Sequence, residues 1–167
     1  MKIGVVSDTH LSDRREIRLP RELLNGLAGV ELILHAGDWL SPRVAEELER
    51  LAPVEGVAGN NDGLDIVNRF GYKRIVEATS VRIGLIHGDG YGKTTERRAF
   101  DAFEGQDVQA IVFGHSHTLY LERKAGILLF NPGSPTDKRR QPLYSYGIME
   151  IHGGVISAVH HFYASRD

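Results

Sequence analysis

Seven side chains of the sequence are ligands by type, and each follows a short apolar run: Asp8, His10, Asp38, Asn60, His87, His115 and His117. The tightest spacing is Gly114-His115-Ser116-His117, directly after Ala110-Ile111-Val112-Phe113. In an extended segment residues i and i+2 point the same way, so both imidazoles are expected to face one site. Seven oxygen and nitrogen donors exceed one tetrahedral site. They suit two octahedral or five-coordinate divalent ions sharing a carboxylate, and Asp38, at the end of a central strand, is the expected bridge. Carboxylate and amide mixed with imidazole favour manganese first, with nickel, iron, cobalt or zinc as alternatives, over magnesium or calcium alone. Two such ions against Asp8 and Asp38 leave a net charge of about +2, or about +1 with a bridging hydroxide. That balance matches a phosphate ester attacked in line by the hydroxide, with no covalent phosphoenzyme.

The elements that must position these residues follow in order. Ile3–Val6 reads as a buried strand ending at Ser7-Asp8-Thr9-His10. Ile17, Leu19, Leu23, Leu24 and Leu27 have roughly helical spacing, predicting a helix over 16–27 with Pro20 in its first turn. Glu31–His35 is a strand ending at Ala36-Gly37-Asp38. Ser41-Pro42 then opens a helix through Val44, Ala45, Leu48 and Leu51. Pro53–Ala58 is a third strand, leading to Gly59-Asn60-Asn61-Asp62. Tyr72–Ala78 and Val81–Ile86 are predicted strands joined at Thr79-Ser80, the second ending at His87-Gly88-Asp89. Thr94 or Thr95 caps a helix to about Phe103. After the Gly114–His117 motif only short strands are expected: 119–123, 127–130, 144–151 and 155–163. Strand and helix alternate first and strands dominate later. This predicts an α/β sandwich in which a mixed sheet, with helices outside, packs on a second, more antiparallel sheet. The ligand clusters lie roughly 20–30 residues apart, about one βα unit. Each follows a strand's C-terminal end, where open α/β sheets hold ligands.

Bulk properties narrow the class. A length of 167 residues suits one domain over 1–167 with a real core. A formal net charge of −2 supplies no global field favouring nucleic acid or membrane. The absence of cysteine excludes disulfides, thiolate metal sites and a cysteine nucleophile. Lys2-Ile3-Gly4-Val5-Val6 reads as a strand rather than a leader, and no apolar run approaches a membrane span, so a cytoplasmic location is expected.

Five ordered motifs, Asp8-x-His10, Gly37-Asp38, Gly59-Asn60, His87-Gly88 and Gly114-His115-x-His117, resemble the calcineurin-like metallophosphoesterase superfamily. The short length and Asn131-Pro132-Gly133-Ser134 are similar to its small YfcE-like phosphodiesterases. The resemblance implies a four-layer α/β/β/α sandwich with a dinuclear site. One ion would be held by Asp8, His10, Asp38 and His117, the other by Asp38, Asn60, His87 and His115. Asp38, Asn61 and His117 are the candidate catalytic residues. The chain departs from the family pattern at Asn61, where the usual motif carries a histidine thought to protonate the leaving group. An amide is no general acid at neutral pH. The expectation is therefore a phosphodiesterase preferring esters whose leaving group needs little protonation. Asn61 is expected on a phosphoryl oxygen, and Asp62 is expected to orient a ligand.

The competing functions are a phosphomonoesterase acting on nucleotides or phosphoproteins, and a non-catalytic scaffold like the eukaryotic retromer subunit with this fold. The expected partner is a small phosphate ester; nucleic acid is not required, and an edge in the C-terminal strands offers a route to a homo-oligomer. Gly92-Lys93-Thr94 mimics the end of a P-loop, but the first glycine of that motif falls on His87. His35 is read as core, while His152, His160 and His161 are read as surface or structural. Lys138-Arg139-Arg140 and Arg14-Arg15 are read as solvated surface, with contact to an anionic substrate as the alternative.

Overall fold

The apolar runs become ten strands and four short helices in the computed structural model, which describes residues 1–167. In chain order these are β1 (Lys2–Val6), α1 (Arg21–Gly26), β2 (Leu32–His35), α2 (Pro42–Glu49), β3 (Val54–Gly56), α3 (Leu64–Phe70), β4 (Lys73–Ala78), β5 (Val81–Ile86), α4 (Thr95–Asp101), β6 (Ala110–Val112), β7 (Tyr120–Lys124), β8 (Ile127–Asn131), β9 (Tyr144–His152) and β10 (Val155–Tyr163). One sheet has the order β10-β9-β1-β2-β3 and the other β4-β5-β6-β8-β7.

The second sheet is not the more antiparallel one. Each sheet has two parallel and two antiparallel pairings. The reason lies after β6. The chain passes to the sheet's edge as β7, and the left-handed residues Ala125 and Gly126 turn it back. The returning β8 inserts beside β6 and lies parallel to it. The C-terminal hairpin also departs from the expected division. It turns at Gly153-Gly154 and adds β9 and β10 to the sheet of β1, leaving β10 at its edge.

Apolar residues divide among three layers of contact. Ile3, Val5, Leu34 and Met149 of one sheet meet Ile83, Leu85, Val112 and Phe130 of the other, forming the inter-sheet core. Leu23, Leu27, Val44, Leu48, Ile66 and Phe70 bring α1, α2 and α3 onto the outer face of the first sheet. Ala99 and Phe103 cover Ile111 and Leu129 on the second. The order helix, sheet, sheet, helix is the four-layer α/β/β/α sandwich.

Local chemistry explains the helix limits. The Ser41 hydroxyl accepts from Arg43 N at 3.1 Å and Pro42 stands at N1, where its missing N–H costs nothing. Thr94 caps α4 by accepting from Arg97 N. The expected helix over 16–27 shrinks to Arg21–Gly26, because the residue before a proline avoids the helical region. Ile17 and Leu19 are nonetheless buried, from an irregular segment. The unpredicted α3 buries Ile66 and Phe70, an i,i+4 pair visible in the sequence.

Candidate metal centre

The parallel strands β1, β2, β3, β5 and β6 all deliver their C-terminal ends to one rim of the sandwich. Just beyond those ends the backbone leaves the common regions. Asp8, His10, Asp38, His115 and His117 have φ of 55°, 47°, 58°, 68° and 57°. Left-handed conformations are uncommon for residues with a Cβ, and cluster where surrounding structure over-determines them. His115 and His117 therefore converge through two left-handed residues, not through the strand alternation that the i,i+2 spacing suggested.

Asp8 Oδ1 lies 3.8 Å from His10 Nε2, 3.9 Å from His87 Nε2 and 3.5 Å from His117 Nε2. Asp38 Oδ2 lies 3.4 Å from His10 Nε2 and 3.3 Å from His87 Nε2. Two groups of donor atoms result, Asp8 with His10 and His117, and Asp8 with Asp38 and His87, each within 4.8 Å. Asp8 is the residue common to both groups; Asp38, the expected bridge, reaches both His10 and His87. The His115 ring packs edge-on to His87 at 5.1 Å but belongs to neither group, and Asn60 is exposed in the β3–α3 turn.

Four buried atoms here lack a hydrogen bond: Asp8 Oδ1, His10 Nε2, His87 Nε2 and His117 Nε2. Leaving such groups unpaired costs roughly 1–3 kcal/mol each. The tautomers explain what they await. His87 Nδ1 donates to the Ala36 carbonyl at 2.7 Å, and His117 Nδ1 to the Asp137 carbonyl at 2.5 Å, since a carbonyl only accepts. Each neutral ring then turns an Nε2 lone pair toward Asp8. A cation satisfies carboxylate oxygen and imidazole lone pair together, so these residues fit a metal.

The charges agree with that reading. Burial pushes Asp8 up, but His10, His87, His117 and the Ser7 hydroxyl outweigh it and hold the carboxyl below its ordinary value. Burial likewise opposes ionisation of Asp38, yet His87 and two Asn61 hydrogen bonds hold it well below the carboxylate range. Burial lowers His87, while Asp38, Asp8 and the Ala36 carbonyl prevail and raise it to about 9. The same carboxylates that favour positive charge on His87 would favour a cation there, and metal and proton would compete for the Nε2 lone pair.

Support from behind is extensive. Asn61 N donates to Asp38 Oδ1 at 2.9 Å and Asn61 Nδ2 to Asp38 Oδ2 at 2.8 Å. The backbone N–H of Asn61 takes one Asp38 carboxylate oxygen and its side-chain amide the other. Asp62 accepts from Asp38 N, Gly59 N and Leu40 N at 2.8, 2.7 and 2.9 Å, and so fixes the loop that carries Asp38. His35 is fully buried, stacked on Trp39 at 3.6 Å, with Nδ1 accepting from Gly37 N. Burial depresses it to about 3, so it stays neutral.

Several residues escaped the sequence reading. Ser7 Oγ donates to Asp8 Oδ2 at 2.7 Å, Ser134 Oγ to the Asp8 carbonyl at 2.8 Å, and Thr136 Oγ1 to the Thr9 carbonyl at 2.5 Å. Trp39, fully buried, donates to the Val57 carbonyl and anchors the loop after Asp38. Single hydroxyls and an aromatic carry no local signature of such roles. Two glycines did have a readable signal. A Cβ at Gly59 would lie 2.1 Å from Asp38 Oδ1, and one at Gly114 1.9 Å from Ser7 Oγ. Glycine before a ligand marks close backbone approach.

Residues 1–154 match the model of a calcineurin-like phosphoesterase superfamily domain. A Methanothermobacter thermautotrophicus protein described as "Probable metallophosphoesterase" is 43% identical over 145 residues, covering 83% of this chain and 80% of that one. A phosphodiesterase of Methanocaldococcus jannaschii is 30% identical over 145 residues, covering 80% and 83%. The crystal structure of Chaetomium thermophilum Vps29 superposes with a TM-score of 0.78 at 19% identity, covering 97% and 96%, a likeness of fold.

Proposed function

The chain belongs to the calcineurin-like phosphoesterase superfamily, and from that premise we propose that it is a metal-dependent phosphodiesterase with a dinuclear centre. The observation carrying the metal is the convergence of four orphaned buried donors on one rim. Asp8, His10 and His117 would hold one ion, with Asp38, His87, His115 and Asn60 completing the second. Manganese is our first choice for both, from the hard and borderline donors together. When bound, the ions supply Lewis acidity toward water and toward the phosphoryl oxygens.

The chain's own residues do the rest. Asp8 and Asp38 hold the negative charge that recruits the cations, and Asn61 positions Asp38 while keeping one amide N–H for a phosphoryl oxygen. His117 keeps its Nε2 lone pair inward because Asp137 holds Nδ1–H. At position 61 an amide stands where leaving-group protonation would need an acid. That favours a phosphodiester with a good leaving group over an alkyl monoester. Manganese-loaded protein given bis-p-nitrophenyl phosphate and p-nitrophenyl phosphate should cleave the diester with the higher kcat/KM. Faster monoester cleavage would replace this reading with a phosphatase; no metal uptake and no cleavage of either would replace it with a scaffold.

A further inference from the structure

Beside the metal centre, Ser116 to Thr118 and Lys138 to Gln141 line a cavity of about 340 Å³. No carboxylate and no apolar side chain lines it. Its wall includes His117, so cavity and metal centre share a residue. Asp8 Oδ1 lies 3.5 Å from His117 Nε2, and Asp137 Oδ2 lies 3.9 Å from both Arg139 Nε and His117 Nδ1. Of the three lining cations, Arg139 is the one paired with a carboxylate. Lys138 Nζ makes one long bond, 3.4 Å to the Gln141 carbonyl, and Arg140 is exposed without an ion pair. The Lys138 ammonium also lies 5.7 Å from the Tyr144 ring centroid, which leaves Arg140 as the cation without a partner.

The loop bearing these cations is tied to the centre. Ser134 Oγ donates to the Asp8 carbonyl and accepts from Asp137 N at 2.8 Å, and the Asp137 carbonyl orients His117. Arg139 has a left-handed φ of 48°, and Gln141 N closes the turn on the Lys138 carbonyl at 2.9 Å. The same backbone that aims His117 therefore sets where the cations stand. On the opposite side, His10 opens onto a cavity of about 310 Å³ whose charge is partly spent. There Arg18 pairs with Glu16 at 3.2 Å and Arg166 donates to the Thr136 carbonyl.

We propose that the Lys138–Gln141 cavity is a second anion subsite, and that the substrate class is a phosphodiester carrying a further phosphate on one arm. This deepens the phosphodiesterase reading and rests on it. No Phe, Tyr or Trp lines the cavity and three cationic side chains do, so the recognised group is the anion. Lysine and arginine suit that task, as point charge and as planar fork.

The test compares calorimetric affinities of thymidine 3′,5′-bisphosphate and thymidine 5′-monophosphate for manganese-loaded protein, which differ by the second phosphate alone. The bisphosphate should bind about tenfold tighter to the wild type. In the double variant Lys138→Gln/Arg140→Gln the ratio should fall to near one, while Arg15→Gln keeps it. Equal wild-type affinities, or a ratio unchanged in the double variant, overturn the subsite. Collapse in Arg15→Gln with retention in the double variant moves the anion to the His10 side and overturns it too. Failure of the parent reading shows separately, as no cleavage of bis-p-nitrophenyl phosphate, because the affinity ratio needs no turnover.

Discussion

The closed half of the metal centre and its open half are built differently. Asp8, Asp38, His87 and His117 are each at most 2% exposed, and each is oriented by at least one hydrogen bond from behind. His115 is only half-buried, tied through its backbone N to Asp8 Oδ2 at 3.0 Å, and Asn60 is exposed. Ordering a side chain costs entropy at the moment a ligand binds unless folding has already ordered it. The closed half meets that cost in the folded chain. The open half leaves it to the ligand, and leaves room for an ester to approach. The difference teaches that the most strongly preorganised donors need not be the most conspicuous motif: His115 and His117 are two positions apart in sequence yet fall in opposite halves.

The largest expected effect tests the closed half as a unit. Asp38→Asn removes one of two negative charges and should lower bis-p-nitrophenyl phosphate turnover at least about 100-fold, with reduced metal content by elemental analysis. Full metal occupancy in that variant would erase the distinction between the halves. Next, His117→Ala should weaken manganese binding about 100-fold and His115→Ala about tenfold, by calorimetry. The reverse order would break the comparison outright.

Beneath the closed half, His35 ties stability to pH. Its folded-state pKa is depressed from 6.5 to about 3, by burial first. Protonation therefore favours the unfolded chain. The contribution is fully present above pH 6.5 and is lost as pH falls from 6.5 toward 3. At pH 5 the loss is about 2 kcal/mol. In urea melts of metal-free protein, His35→Gln should show that much less acid destabilisation between pH 7 and 5; an identical slope would remove His35 from the account. The smallest effect concerns Asn61→His, which should raise turnover of an alkyl monoester such as glycerol 2-phosphate several-fold, since the gained acid is offset by the lost grip on Asp38. Unchanged turnover would show that position 61 does not set leaving-group preference.

Legibility followed the range of the physics. Caps at Ser41 and Thr94 and the turns at Thr79 and Gly153 are local chemistry, and the sequence displays them directly. The unpredicted α3 is also local, since Ile66 and Phe70 are an i,i+4 apolar pair within it. The place of β8 and of the β9–β10 hairpin was not legible, because strand pairing is decided by contacts distant in sequence. The supports of the centre were hidden for the same reason: Ser134 reaches Asp8 across 126 positions.

From its sequence alone, this protein's donor types, their order and their place after strands were determined, because burial patterns and ligand chemistry are written residue by residue. A mixed sheet with outer helices packed on a second sheet followed from the same periodicity, while the four-layer order was what the family resemblance implied. Only the tertiary structure decided that Asp8 is common to both donor groups, that Asn61 grips Asp38, and that five ligand-type residues hold left-handed backbone. Those outcomes depend on where separate strands end relative to one another, and packing of the two sheets sets that distance.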